Sequence, residues 1–95
     1  MADFSSLYNH HEREVFAAVT AAIANYPGLD TSNDLLCDVA CVALNRLPPR
    51  YIRHEVDFSF YMTAAERQEI DLAINEAVTF AFQFVEARTA LRRTG

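Results

Sequence analysis

The residues best suited to chemistry lie in one short basic segment of an acidic chain. Residues 46–54 contain three arginines and a histidine, namely Arg46, Arg50, Arg53 and His54. No carboxylate occurs between Asp38 and Glu55, and the only other arginine cluster is the pair Arg92 and Arg93. Since the chain carries a formal net charge of −5, an anionic ligand would find its most favourable electrostatic environment in residues 46–54.

All eight basic residues are arginine, and none is lysine. A guanidinium group is always charged, forms paired hydrogen bonds with phosphate and stacks on flat rings. Binding to a nucleic-acid polymer draws on many phosphate contacts, which a net charge of −5 opposes. A small dianion needs only one local pocket. The composition therefore disfavours a polynucleotide partner and is compatible with a small anionic ligand.

Two cysteines and three histidines are the remaining candidates for metal binding. Cys37 and Cys41 are four residues apart on a predicted helix, a spacing with poor geometry for a disulfide bond. Two thiols are also too few for a typical zinc site. We therefore predict buried thiols that fill gaps in the core, and no metal site; ligation by both cysteines and a histidine is the alternative. His10, His11 and His54 are interpreted as surface residues.

The sequence contains no recognisable catalytic arrangement. It lacks a glycine-rich phosphate loop, an H-E-x-x-H motif and a nucleophile elbow, and it has only two glycines. We therefore predict a protein that is not an enzyme and that needs no cofactor.

The length of 95 residues corresponds to a single domain, residues 1–95. No apolar run approaches the roughly 20 residues that cross a bilayer. The N-terminal residues match neither a secretory signal nor a lipidation motif. We therefore expect a cytoplasmic protein without a membrane partner.

Hydrophobic periodicity predicts two helices in the first half of the chain. Asn9 followed by Glu12 fits a capping box, and apolar residues recur at helical spacing to Tyr26. A second, largely buried helix begins at one of the N-cap candidates in residues 31–34. It must end at Pro48-Pro49, because proline lacks the backbone donor and disfavours a helical conformation in the preceding residue.

The second half is predicted to contain a short extended segment and a long helix. Residues 50–62 read as irregular or extended, with a possible edge strand in which three apolar residues alternate, Val56, Phe58 and Phe60. Thr63-Ala64-Ala65-Glu66 is a capping box for a helix that runs to about Arg92 and spans roughly 40 Å or more. The predicted fold class is all-α, with three main helices and a Pro-Pro corner.

The long helix has apolar residues on more than one side, which predicts a homodimer. One seam consists of Ile70, Ile74, Ala77, Ala81 and Phe84, and another of Val78, Phe82 and Val85, with Phe80 between them. One small core is not expected to cover both seams, so we predict that the second meets a symmetry mate. In the alternative, the first helix and the segment with Phe58 and Phe60 cover it within one subunit.

The segment from Asp38 to Tyr51 resembles the signature of the ComFB family, named for late competence development proteins of bacteria. An aspartate opens an apolar helix that leads into Leu44-Asn45-Arg46-Leu47-Pro48-Pro49-Arg50-Tyr51. The pattern Asn9-x-x-Glu12-x-x-Val15 is similar to the first helix of that family. The resemblance covers most of the chain as far as Tyr51, whereas residues 56–62 match no pattern of the family and their role stays open.

The resemblance implies a small, all-helical, dimeric and non-enzymatic protein, with residues 1–95 forming one ComFB-like domain. Some members, especially cyanobacterial ones, are receptors for cyclic dinucleotides such as c-di-GMP or c-di-AMP. The older label of the family ties it to DNA uptake and pilus-related traits.

A cyclic dinucleotide carries two phosphates and two flat bases, which arginines and an aromatic ring suit. The candidate ligand-binding residues are Arg46, Arg50, Tyr51, Arg53, Asn45 and Asp38, with Asp57 as a second candidate carboxylate for guanine. Arg50 is the leading candidate because it follows a stiff diproline, so little entropy is lost when it is ordered.

Structural roles are the alternatives for four of these residues. Arg46 suits a helix C-terminus, where its charge favours the carbonyl ends. Asn45 is expected to bond the backbone near the helix end, and Asp38 to form an ion pair or a cap. Tyr51 has an equally reasonable place in the core with its hydroxyl anchored.

Two functions follow from these observations. The first is a signalling receptor that binds a cyclic dinucleotide near residues 46–53 and relays the bound state to a protein partner. The alternative is a ligand-free dimeric interaction module, whose apolar third helix recruits a transcription or pilus component. In the alternative, changes at Phe82 or Val85 harm function while the arginines tolerate alanine.

Overall fold

The computed structural model describes residues 2–53 and 62–94, in which helix dominates and the all-α class is confirmed. The elements are β1 (Tyr8–Asn9), α1 (His11–Ala22), a 3-10 turn (Ile23–Asn25), α2 (Asn33–Arg46), β2 (Tyr51–Ile52) and α3 (Ala64–Thr94). His54, Asp57 and the edge strand predicted around Val56, Phe58 and Phe60 lie outside the described residues.

The first helix begins later than predicted, and its capping box is absent. The N-cap residue is His10, which makes no capping bond through its side chain. Asn9 instead belongs to β1, and its Oδ1 accepts from the backbone N–H groups of His11 (3.2 Å) and Arg50 (3.0 Å). The prediction failed because a partner distant in sequence competes for the Asn9 side chain.

The second helix begins and ends where the sequence indicates. The Ser32 hydroxyl oxygen accepts a hydrogen bond from the Leu35 N–H at 3.3 Å, which satisfies one free donor of the first turn. At the other end Leu47 is extended, with φ −101° and ψ 137°, as expected for a residue before proline. The diproline therefore turns the chain directly after α2.

Only one side of α2 is buried, which corrects the prediction of a largely buried helix. Val39, Ala40 and Ala43 lie in the core. Cys37 and Cys41 are free thiols, and both are exposed in the single chain. Predicting them as core residues was wrong, because the other helices of the subunit cover one stripe of α2 and the cysteines fall outside it.

The third helix determines the length of the molecule. It contains 31 residues, which corresponds to about 46 Å at 1.5 Å per residue, and the longest dimension of the molecule is 48 Å. The Thr63 hydroxyl oxygen accepts from the Glu66 N–H at 3.1 Å, as the capping pattern predicts. Neither α3 nor any other described helix combines the length and the hydropathy of a membrane span.

The core places the second apolar seam of α3 inside the subunit. Val78, Phe82 and Val85 are buried, and the ring of Phe82 stacks on Tyr26 with centroids 4.4 Å apart and planes 8° apart. The predicted dimer contact through this seam is therefore wrong. Phe84, assigned to the other seam, is instead 41% exposed. The second seam is covered in part by the segment that follows α1, because the Tyr26 ring packs on Phe82.

Replacement of Phe82 by alanine should destabilise the fold strongly, because its side chain is fully buried and stacked. We expect Phe82→Ala to lower the free energy of unfolding by about 3–5 kcal/mol in urea titrations. Leu72→Ala, at a site that is 60% exposed, is the matched control and should change it by about 0.5 kcal/mol or less. Equal losses in the two variants would contradict this assignment of the core.

Candidate ligand-binding site

A two-residue antiparallel pairing connects the N-terminal segment to the diproline corner. Tyr8 pairs with Ile52, and Asn9 pairs with Tyr51. Next to this pairing the backbone of Arg50 is held on both sides: its N–H donates to Asn9 Oδ1 at 3.0 Å, and its carbonyl accepts from the His10 N–H at 2.7 Å. The backbone position of Arg50 is therefore set by β1 and by the start of α1.

Both histidines at the start of α1 are buried, which corrects their interpretation as surface residues. His10 is 8% exposed and His11 6%. Their rings are 6.0 Å apart in an edge-to-face arrangement. They are covered because the β1–β2 pairing brings the chain around Arg50 over the start of α1. Sequence reasoning missed Asn9, His10 and His11 as parts of this site, and no local pattern reveals them, because their partners follow about 40 positions later.

The environment of His11 favours the neutral imidazole. Burial lowers the pKa of His11, and the positive groups of His10 and Arg50 lower it further, whereas the hydrogen bond with the Pro48 backbone and the carboxylate of Glu14 act in the opposite direction. Its Nδ1 atom is buried and has no hydrogen-bond partner among the described residues. A neutral ring with one unsatisfied nitrogen therefore lies beside the leading candidate arginine.

Arg46 packs against a different element from Arg50. Its guanidinium carbon lies 3.9 Å from the centroid of the Phe80 ring on α3, a close cation–π geometry. Arg46 also lies in the last turn of α2, where a positive charge favours the carbonyl end of the helix, so the helix-end alternative stays open. Sequence reasoning did not connect Phe80 with the site.

Tyr51 and Arg53 are both exposed beside the corner. The Tyr51 side chain is 64% exposed, so the alternative of a core tyrosine is wrong. Its backbone pairs with Asn9 in the short sheet, which leaves the ring directed away from the core. Arg53 follows in the bend after β2. An aromatic face and a second guanidinium group are therefore accessible within three residues of Arg50.

Asn45 and Asp38 lie on the exposed side of α2. The Asn45 amide donates to the sulfur of Cys41 at 3.7 Å and not to the backbone as expected. Asp38 forms no ion pair with any residue in the described ranges. The structural roles predicted for these two side chains are thus absent from the described chain, and both side chains face solvent.

A groove between α1 and α2, the α1–α2 groove, lies next to the cysteines and has a volume of about 530 Å³. Its lining is mainly apolar and includes Phe16, Val19, Leu36, Cys37, Cys41 and Leu44. None of the candidate arginines lines it, so it suits an apolar side chain better than a dianion.

A metal site is not formed by the side chains described. Within residues 2–53 and 62–94, no group of three or more histidine, cysteine or acidic side chains is placed to hold an ion. Cys37 and Cys41 lie along α2, whereas His10 and His11 are packed at the start of α1. The alternative of a metal held by both cysteines and a histidine therefore has no third ligand in the described part of the chain.

Removal of the Asn9 acceptor should loosen the corner. We expect Asn9→Ala to lower the free energy of unfolding by about 1–2 kcal/mol, because the N–H groups of His11 and Arg50 both lose their acceptor. Asn9→Asp keeps an acceptor oxygen and should lose less. Urea titration of the three proteins measures the difference, and equal stability of Asn9→Ala and wild type would contradict the assigned bonds.

Stability should decrease in mildly acidic solution because of His11. The pKa of folded His11 lies below its usual 6.5, so the unfolded chain takes up the proton first as the pH falls. The stabilisation is present above about pH 6.5 and is lost as the pH falls towards the folded pKa. In thermal unfolding between about pH 7.5 and 5.5, His11→Gln should lose less stability than wild type. An equal loss in both proteins would contradict this role.

Comparison with known proteins identifies the family. The family described as "Late competence development protein ComFB" matches residues 8–89, which include β1, all of α1 and α2, the corner and most of α3. No curated protein matches the chain. Because the match covers more than half of the 95 residues, the chain belongs to the ComFB family of late competence development proteins.

Proposed function

We propose that this chain is a small receptor that binds a cyclic dinucleotide, c-di-GMP or c-di-AMP, at the corner after α2 and relays the bound state to a protein partner. The observation that carries the proposal is the fixed backbone of Arg50: its N–H donates to the Asn9 side chain in β1, and its carbonyl accepts from the His10 N–H just before α1. Because the backbone of Arg50 is already ordered beside a diproline, only its side chain loses entropy when it binds phosphate.

The neighbours of Arg50 suit the other parts of such a ligand. Arg53 supplies a second guanidinium group for the second phosphate, and the exposed ring of Tyr51 offers a flat face for a base. Arg46 already lies over the Phe80 ring, with its guanidinium carbon 3.9 Å from the ring centroid. Asp38 and Asn45 face solvent on α2 and are the candidates for contacts to base edges.

The proposed receptor binds a small ligand and not a polynucleotide, because the net charge of −5 opposes binding to a nucleic-acid polymer. It catalyses no reaction and uses no cofactor. It is located in the cytoplasm, where the second messenger can reach it, and ligand binding there serves the competence-related role of the family.

Calorimetric titration with c-di-GMP and c-di-AMP tests the proposal. We expect Arg50→Ala to weaken binding by about tenfold to a hundredfold, which corresponds to about 1.5–3 kcal/mol for a hydrogen bond to a charged group. Arg67→Ala is the matched control, because it removes the same charge from an exposed position in the first turns of α3 and should bind like wild type.

A thermal-shift measurement gives an independent readout, since a ligand that binds the folded state raises the melting temperature. The proposal fails if neither nucleotide gives heat or a thermal shift at high micromolar concentration. It also fails if Arg50→Ala retains wild-type affinity.

The α1–α2 groove favours a second candidate function, a ligand-free interaction module. Phe16 is 51% exposed at the edge of this apolar groove, where a partner side chain would be covered. In that case Phe16→Ala abolishes partner binding, while Arg50→Ala and Arg53→Ala leave it intact. Phe82 and Val85, which the sequence suggested for this role, are buried, so substitutions there would disturb the core and would not test a contact surface.

A further inference from the structure

His11 is a buried histidine that lies next to the proposed ligand site without belonging to it. Its side chain is 6% exposed. Its backbone N–H donates to Asn9 Oδ1, the same oxygen that accepts from the Arg50 N–H, and the His10 N–H before it donates to the Arg50 carbonyl. The backbones of His11 and Arg50 are therefore held in one fixed corner, and the charge of the Arg50 guanidinium group acts on the His11 ring.

The hydrogen bonding of the His11 ring indicates its tautomer. The ring forms a hydrogen bond with the backbone of Pro48, which has only a carbonyl to offer. A carbonyl oxygen can only accept, so the ring nitrogen that bonds it carries a hydrogen. Nδ1 is buried and has no partner among the described residues, so the bonded nitrogen is Nε2. Nδ1 of the neutral ring therefore has an unused lone pair, which is where an imidazole takes up a proton.

Positive charge around the ring opposes that proton. Burial, His10 and Arg50 all lower the pKa of His11, with burial as the largest cause. Glu14, one turn further along α1, and the Pro48 carbonyl act in the opposite direction. A protonated His11 thus already has a carboxylate and a carbonyl in its favour. What the free protein does not provide is compensation of the nearby guanidinium charge.

A bound phosphate group supplies that compensation. An anion on the Arg50 guanidinium group offsets its repulsion of a protonated His11 and adds an attraction, and both effects favour the charged ring. The coupling is reciprocal, so a proton on His11 strengthens anion binding as much as the anion strengthens proton binding. Phosphodiester groups stay ionised in neutral and mildly acidic solution, so the proton goes to the protein and not to the ligand.

We propose that Nδ1 of His11 takes up a proton from solvent when a phosphate group binds Arg50, so that the ligand is held more tightly as the pH falls. This inference rests on the proposed receptor function and makes its site sensitive to pH. His11 is a positioning residue, since it acts through Arg50 and does not touch the ligand.

The sign and the range of the effect follow from the two states of His11. Its pKa lies below 6.5 in the free protein and is raised in the complex. Affinity therefore increases as the pH falls from about 7.5 towards about 5.5, and it levels off below the pKa of the free protein. We expect an increase of about threefold to tenfold, since each pH unit between the free and bound pKa corresponds to a factor of ten.

Calorimetric titration of the full-length chain with c-di-GMP and c-di-AMP at about pH 7.5, 6.5 and 5.5 tests the inference. Repeating each titration in two buffers of different ionisation enthalpy gives the number of protons taken up. Wild type should show the increase in affinity and take up a fraction of a proton per ligand. His11→Gln keeps an amide N–H that can donate to the Pro48 carbonyl, and its affinity should not change with pH.

The other two histidines provide the matched controls. His10→Gln and His54→Gln should retain both the pH dependence and the proton uptake. The His10 variant keeps the backbone bond to the Arg50 carbonyl. NMR titration of the wild-type imidazole signals, with and without nucleotide, gives a readout that needs no variant to fold. The pKa of His11 should be higher in the complex than in the free protein.

Three results would overturn the inference and leave the receptor function intact. The first is nucleotide binding with equal affinity across this pH range and no proton uptake. The second is proton uptake that persists in folded His11→Gln or is lost in His54→Gln. The third is a pKa of His11 that the nucleotide does not change. Absence of binding at every pH would instead overturn the receptor function, and this inference with it.

Discussion

The amide oxygen of Asn9 connects two parts of the chain that are 41 residues apart. It accepts from the backbone of His11 at the start of α1 and from the backbone of Arg50 after the diproline. The His10 N–H adds a third bond to the same corner. Because proline already restricts the chain before Arg50, these few bonds suffice to set its position. Among the candidate ligand-binding residues, Arg50 and Tyr51 depend on this connection for their backbone position.

Packing of α1 and α2 against α3 makes that connection possible. Phe82 lies at the centre, fully buried and stacked on Tyr26, and small residues such as Ala43 and Ala81 let the helices approach closely. The core covers one broad side of α3. Phe80 and Phe84 lie beyond its edge, so the helix presents a buried surface to its own subunit and an aromatic surface to solvent.

The arginines of one short segment have different surroundings in the folded chain. Arg46 stacks on Phe80, whereas Arg50 lies beside the buried imidazole of His11. Burial, His10 and the nearby guanidinium group of Arg50 lower the pKa of His11, which favours the neutral imidazole beside Arg50.

Local chemistry in the sequence determined the helices, their caps at Ser32 and Thr63, and the turn at the diproline, because these features depend on residues only a few positions apart. It also identified the family through residues 38–51. Tertiary structure alone decided that the Asn9 side chain accepts a hydrogen bond from the Arg50 N–H and that His11 is buried. It likewise decided that the cysteines are exposed and that Phe82, not Phe84, enters the core. Periodicity shows which side chains share a face of a helix, but which face is covered depends on partners that are distant in sequence.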